Sequence, residues 1–264
     1  IAQVLSRFKF NDLEKIFGIL PLFHVFAQNA CIWSAFFVGA TVILVHKIER
    51  RLLLEGLTHK PTIFLGVPAL YGLLCLLKTA PLDSVNYIIS GGDALPDKIR
   101  TAFALIYGRK IVNGYGLTET APVIAAEFED ELTFTNTVGL PVTGISYSIR
   151  DKNNHEVPPK VIGQLWVKGK NVMLGYYNAP EATEAILKDG WFDTGDCAYI
   201  NAYGKLVITG REKDLIINKG LNIYPQEIEN ALLSFPNVLR VAVIGKPDPQ
   251  EGEIAVSFIQ LQKI

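Results

Sequence analysis

The densest chemistry in this chain lies in one stretch, Ile111-Val-Asn-Gly-Tyr-Gly-Leu-Thr-Glu-Thr120, where an apolar strand breaks into glycines, an aromatic ring, hydroxyls and a carboxylate. Gly114 and Gly116 lack side chains, so the backbone is free to take unusual dihedrals and a ligand to come close. Tyr115 between them offers a flat ring with a polar tip, suited to stacking on a base. Thr118 has a hydroxyl that can reach a phosphate oxygen, and Glu119 is a hard oxygen ligand of the kind Mg²⁺ takes beside a phosphate. The combination points to a nucleotide site. The dinucleotide fingerprint would need a glycine where Glu119 stands, and the Gly-Lys-Ser/Thr ending of a phosphate loop occurs nowhere in the chain. A glycine-rich turn closing a buried strand remains the other reading of the same letters.

Four further stretches carry candidate groups. Ser90-Gly-Gly-Asp-Ala-Leu-Pro96 is a second glycine loop. Gly190-Trp-Phe-Asp-Thr-Gly-Asp196 and Gly210-Arg-Glu-Lys-Asp214 hold a carboxylate, Asp196, able to accept from both ribose hydroxyls, and a guanidinium, Arg211, able to supply charge-assisted donors. A hairpin turn and a solvated loop are the plain alternatives for these two. His24, in Leu20-Pro-Leu-Phe-His24, stands at the mouth of an apolar helix from Val25 to Phe37, where a capping or core role competes with a catalytic one.

The pattern that must position these groups alternates strands with helices from Thr41 to Tyr115. Strand-like runs at Thr41 to Val45, Thr62 to Val67, Val85 to Ser90 and Lys110 to Asn113 enclose helical runs near Arg51 to Leu57, Ala69 to Leu77 and Asp97 to Ile106. Such alternation predicts an α/β fold with a mostly parallel sheet covered by helices on both faces, whose ligands collect at the carboxyl ends of the strands. Both glycine loops fall at such ends. Beyond Gly139 short β-like pieces separated by turns predict a β-rich subdomain, and after Arg211 a helix from Pro225 to Phe235 with flanking strands predicts the start of a small α+β domain. The expected division is 1–140 for the nucleotide- and acyl-binding part, 141–212 for the β-rich part and 213–264 for an incomplete C-terminal lid domain. The acidic run Phe128-Glu-Asp-Glu131 reads as a solvated loop without a chemical role.

Of 264 residues, 49% are apolar, and mean hydropathy is +0.25. The uncharged stretch from Phe17 to Val45 is long enough to span a bilayer, but Pro21, His24, Gln28, Asn29 and Gly39 interrupt it, which predicts a buried helix followed by a buried strand. A net charge of −1 without a basic cluster beyond Ile48-Glu-Arg-Arg51 argues against nucleic acid as partner. No secretory leader pattern opens the chain, and Cys31, Cys75 and Cys197 are scattered without metal spacing, which fits a reducing, cytoplasmic setting. Ile1 lies inside an amphipathic pattern, so a piece of a longer protein is expected.

Taken together, the strings PLFH at 21–24, SGGDALP at 90–96, NGYGLTET at 113–120, GQLWVKGKNVMLGYY at 163–177, GWFDTGD at 190–196 and GKLVITGREKDLIINKGLNIYPQEIE at 204–229 resemble, in order, those of the adenylate-forming superfamily. Within it the chain is most similar to long-chain acyl-CoA and acyl-carrier-protein synthetases. The resemblance implies that Gly91, Gly92 and Asp93 flank adenine, Tyr115 stacks on it, and Asn113, Gly114, Gly116 and Thr118 contact base and α-phosphate. It implies Glu119 as the Mg²⁺ ligand, Asp196 and Arg211 as the ribose pair, and His24 beside the carboxylate and the acyl or thiol tunnel. Lys213 would be the hinge, and Lys219 and Gly220 would meet the thiol substrate after the small domain rotates. The implied reaction is attack of a carboxylate on the α-phosphorus of Mg·ATP, giving an acyl-adenylate, followed by displacement of AMP by CoA or by the phosphopantetheine of an acyl-carrier protein.

Two family segments have no counterpart between Ile1 and Ile264: the Thr/Ser/Gly-rich phosphate loop and the Pro-Lys-Thr-x-x-Gly-Lys segment with its catalytic lysine. The expectation is a fragment that alone is nearly inactive. No Asp or Glu occurs from Pro21 to Ser34 to pair a substrate ammonium, and Phe23, Val25, Phe26, Ile32, Trp33, Phe36 and Phe37 suit an aliphatic or aromatic acid. A fatty acid is expected, with an aryl acid as the alternative within the class, and an acyl substrate allows peripheral membrane association. A non-catalytic adenine-nucleotide module and a membrane-embedded protein are the readings from other classes.

Overall fold

The computed structural model describes residues 1–127 and 136–262, so the acidic run at 128–131 lies outside the described residues. The chain divides into two compact units, Ile1–Ser146 with Val167–Gly190, and Tyr147–Trp166 with Trp191–Ile264.

The first unit is built on a seven-stranded sheet of β1 (Lys15–Gly18), β2 (Thr41–Leu44), β3 (Ile63–Gly66), β4 (Tyr87–Ser90), β5 (Val112–Gly116), β6 (Val123–Ala126) and β7 (Leu140–Pro141). Their order is β2-β1-β3-β4-β5-β6-β7. Pairings from β2 to β5 are parallel, and β5–β6 and β6–β7 are antiparallel. Side chains of a strand alternate between faces. Phe17, Phe64 and Ile88 therefore meet the helices Arg50–Thr58, Pro68–Leu77 and Asp97–Tyr107 through Leu53, Leu57, Leu70, Tyr71, Leu74 and Phe103. Their neighbours Ile16, Ile63, Leu65 and Ile89 point the other way, onto Ala27, Cys31 and Ala35. All four residues of β3 are buried, as expected of a parallel strand covered on both faces. The Phe17 and Phe64 rings stack at 5.0 Å, and the Tyr71 hydroxyl, fully buried, donates to the Ile89 carbonyl at 2.6 Å.

Two features depart from the sequence reading. A strand precedes the expected helix: Lys15–Gly18 inserts between β2 and β3, and the helix then begins at Val25, where it was expected. That helix runs to Val38 but widens to π geometry over Gln28–Trp33. Among the described residues no helix is long and apolar enough to cross a membrane.

In the second unit Trp191–Ile200 and Leu206–Arg211 form an antiparallel hairpin. On its other side the Thr194 hydroxyl donates to the Leu165 carbonyl at 2.7 Å, and the Arg150 guanidinium lies 4.8 and 4.9 Å from the ring centroids of Trp166 and Trp191. A further sheet has the order Leu221–Ile223, Ile216–Asn218, Gly252–Leu261, Val238–Asp248. The helix Pro225–Leu233 lies against its last strand, where Glu229 accepts from the Val243 amide at 2.8 Å.

Candidate nucleotide site

The two glycine loops leave neighbouring strands at the same level, because Ser90 at the end of β4 pairs with Asn113 in β5. In the first loop the Gly91 amide donates to the Gly66 carbonyl at 3.2 Å, Gly92 takes φ +82°, and the exposed Asp93 accepts from the Ala94 amide at 2.8 Å. A Cβ placed on Gly91 would lie 3.4 Å from the Phe26 ring, so the helix after His24 borders this loop directly. The same helix reaches the second loop, where Asn29 Nδ2 donates to the Ala121 carbonyl at 3.0 Å.

Gly114 and Gly116 lie in a strand with φ outside the left-handed region, contrary to the unusual dihedrals expected of them. A Cβ on Gly116 would sit 1.7 Å from the Pro122 carbonyl oxygen. The chain folds back there: the Leu117 amide donates to the Pro122 carbonyl at 2.9 Å and the Thr120 hydroxyl to the same oxygen at 2.7 Å. Gly116 is thus fixed by its own backbone's return. Asn113 is 3% exposed, and its Nδ2 donates to the Thr137 carbonyl at 2.9 Å. Its amide faces Glu127 Oε2 at 3.3 Å, and that buried carboxylate is 3.5 Å from Arg100 and 3.9 Å from Lys110. A charge taken out of water this far is tolerated because two cations compensate it.

The turn Thr118–Thr120 presents an exposed Thr118 and a half-buried Glu119. A distant segment holds it: the Met173 amide donates to the Glu119 carbonyl at 2.8 Å, Asn171 Nδ2 donates to the carbonyls of Thr120 and Val123 at 2.8 and 3.1 Å, and the Tyr176 hydroxyl donates to Glu119 Oε1 at 2.7 Å. The hydrogen bond to Glu119, burial and the carboxylate's charge push the Tyr176 phenol up to about 12. Tyr176 stands in a string already noted, yet nothing in its spacing marks it as a partner of Glu119. Among the described residues no group of three or more His, Cys, Asp or Glu side chains gathers to hold a metal. A single carboxylate suits Mg²⁺, which keeps several waters and takes phosphate oxygens instead of an all-protein cage. His24 Nδ1 accepts from the Phe26 amide at 3.2 Å, so the capping role foreseen for it is realised.

In the second unit Asp196 and Arg211 are cross-strand partners, with Arg211 Nε 3.3 Å from Asp196 Oδ1. The carboxylate is 6% exposed and the guanidinium 52%, so the pair presents its cationic partner to solvent. The stretch after Gly190 is strand from Trp191, not a hairpin turn. Lys213 is exposed in a short 3₁₀ turn, Glu212–Asp214. Lys219 and Gly220 form the tight turn between Ile216–Asn218 and Leu221–Ile223, where Lys219 Nζ meets Glu251 at 2.6 Å. Within the first unit, therefore, the loops at 91–93 and 113–119 and the helix after His24 adjoin; within the second, Asp196 and Arg211 do.

These loops stand at the carboxyl ends of a mostly parallel sheet, where α/β folds collect their ligands. The chain belongs to the AMP-binding enzyme family, whose profile matches residues 1–177, and the profile of the AMP-binding enzyme C-terminal domain matches 227–263. It is 38% identical over 255 residues to a long-chain-fatty-acid–CoA ligase of Bacillus subtilis, covering 95% of this chain and 46% of that protein. It is 34% identical over 251 residues to a feruloyl-CoA synthase of an Amycolatopsis species, covering 93% of this chain and 51% of that protein. The structure is similar, with a TM-score of 0.89 and 30% identity, to o-succinylbenzoate-CoA synthetase of Bacillus subtilis in complex with its acyl-adenylate intermediate, over 100% of this chain and 55% of that one. The chain spans about half the length of the curated relatives it matches.

Proposed function

We propose that the protein containing this chain is an acid–thiol ligase that activates a carboxylic acid with ATP as an acyl-adenylate and passes the acyl group to CoA. The observation that carries this reading is the turn at Glu119, a carboxylate with one oxygen left for a cation, standing beside a second glycine loop and an apolar helix. Family membership and the ligases among its relatives support it. Tyr115 would stack on adenine, with Gly91, Gly92, Asp93, Gly114 and Gly116 around it and Thr118 at the α-phosphate. Asp196 and Arg211 would hold the ribose. Asn113, whose Nδ2 donates to the Thr137 carbonyl, is proposed to contact the base from β5. Mg²⁺ at Glu119 would offset phosphate charge. An attacking carboxylate needs no base, so the protein's work is positioning and charge stabilisation. Lys213 is proposed as the hinge, and Lys219 with Gly220 as the face that meets the thiol.

The acid is proposed to be a fatty acid. Phe23, Trp33, Phe36 and Phe37 are exposed, at 86, 52, 73 and 67%, so they are not core in this structure and are open to an acyl chain or a membrane surface. The feruloyl-CoA synthase among the relatives keeps an aryl acid as the second reading. An acyl-carrier protein would serve as acceptor through the same phosphopantetheine thiol. Three free cysteines support a cytoplasmic setting. The test is AMP and acyl-CoA formation by the complete protein containing this chain, with ATP, Mg²⁺, CoA and a series of saturated acids of graded length beside a hydroxycinnamic acid. Turnover that rises with chain length is expected; nucleotide binding without AMP formation from any acid would establish the non-catalytic module instead.

A further inference from the structure

Met173 and Tyr176 grip Glu119 at both ends, by its carbonyl and by its carboxylate, and Asn171 holds the carbonyl of the next residue, Thr120. We propose that Tyr176 is a positioning residue for the Glu119 carboxylate: its phenol occupies Oε1 and leaves Oε2 as a one-oxygen ligand for the divalent cation of the nucleotide. The inference rests on the proposed role of Glu119 and adds to it a second residue and a metal preference.

The geometry argues for this in steps. A glutamate side chain has three torsions to lose on ordering, and with its backbone already fixed by Met173 a single further contact decides where the carboxylate points. The 2.7 Å bond from Tyr176 is a charge-assisted one, about twice as strong as its neutral counterpart. The phenol is itself fixed from behind. The Tyr176 amide donates to Thr183 Oγ1 at 2.9 Å, and that hydroxyl donates to the Ala179 carbonyl at 2.9 Å. Gly175 takes φ +149°, and a Cβ there would lie 2.8 Å from Thr183 Cγ2, so a side chain before Tyr176 would push it off Thr183. The next residue, Tyr177, is 93% exposed and contrasts with Tyr176 at 40%. A phenol proton on Oε1 draws charge from that oxygen and weakens it as a ligand, which favours single-oxygen ligation through Oε2, suits the strict octahedron of Mg²⁺ and weakens the two-oxygen mode that Ca²⁺ readily takes.

The experiment measures binding of a fluorescent ATP analogue against Mg²⁺ and against Ca²⁺, with AMP binding in EDTA as control, for the wild-type chain, Y176F, Y177F and E119Q. Partners behind a metal ligand typically govern about 10–100-fold in metal affinity. Y176F is expected to bind AMP as the wild type does, to need about tenfold more Mg²⁺ for half-maximal ATP binding, and to narrow the Mg²⁺ over Ca²⁺ preference. Y177F should overlay the wild type. If E119Q shifts the Mg²⁺ titration and Y176F does not, the positioning role is wrong and the function stands. If Y176F loses AMP binding as well, Tyr176 merely supports the fold. If E119Q leaves the metal dependence untouched, or the wild-type chain within its complete protein, in which every variant is measured, binds no nucleotide, the role of Glu119 falls and this inference with it.

Discussion

Gly116 and Gly220 both stand in stretches shared with adenylate-forming enzymes, and the structure requires glycine at the two for opposite reasons. At Gly116 the dihedrals are ordinary and the space is absent: the returning strand puts the Pro122 carbonyl 1.7 Å from where a Cβ would be. At Gly220 the space is open, with nothing within 4 Å, and the dihedral is the constraint, φ +81° following Lys219 at +47°. Positive φ at both central residues is what a two-residue hairpin turn of the primed type demands. A motif glycine therefore need not report a ligand. In the first unit it reports a chain folding back on itself, in the second a turn, and the proposed chemistry rests on Glu119, Asp196 and their partners.

Substitution by alanine separates the two cases. Gly116→Ala must displace Pro122 and with it the Leu117 and Thr120 hydrogen bonds, and overpacking against backbone is expected to cost about 3 kcal/mol in urea unfolding. A loss under about 0.5 kcal/mol, the range of ordinary surface changes, would break the contrast. Asp196→Asn comes next. Arg211 is half exposed and screened, so stability should change by less than about 1 kcal/mol. AMP affinity should nevertheless fall about tenfold, since a hydrogen bond to a charged group is worth about 1.5–3 kcal/mol. Unchanged AMP affinity by calorimetry would remove the ribose role. Gly220→Ala follows, at about 1 kcal/mol for a left-handed alanine, with AMP affinity intact. A larger loss than at Gly116 would invert the order.

The inner parallel strands β3 and β4 were legible because burial writes them as apolar runs, at 62–67 and 85–90, whereas β2, within 41–45, is an edge strand with Leu44 63% exposed and was marked by its β-branched residues and not by burial. Lys15–Gly18 was not legible, because Phe17 to Leu20 continues into an apolar helix and no charge marks where one period gives way to the other. The facing of Asp196 and Arg211 follows from a hairpin whose two strands lie among the short β-like pieces read beyond Gly139. Tyr176 and Glu119 meet across 57 residues, and only the fold brings them together. The carbonyl that Pro122 brings against Gly116 likewise leaves no trace in the letters around it.

The smallest effect tests how deeply each unit is closed. Burial pushes the Cys31 thiol of the first unit up to about 12. In the second, burial first, then the charges of Glu212, Asp196 and Asp193, push Cys197 up to about 11, while the half-buried Cys75 is raised by burial. The thiolate is the reactive form. At pH 8 a disulfide reagent should therefore label Cys75 first and reach Cys31 and Cys197 only on unfolding; early labelling of Cys197 would mean that its unit opens before the first. The sign with pH follows from the same shifts. Both folded values lie above the ordinary 9.0, so the folded state holds its protons while the unfolded chain has begun to lose them. The contribution is full below about pH 8.5 and fades as pH rises through the folded values. Cys197→Ala should consequently lose stability less steeply than the wild type between pH 8.5 and 10.5, read as the urea midpoint at each pH, and parallel curves would show that Cys197 is open to solvent.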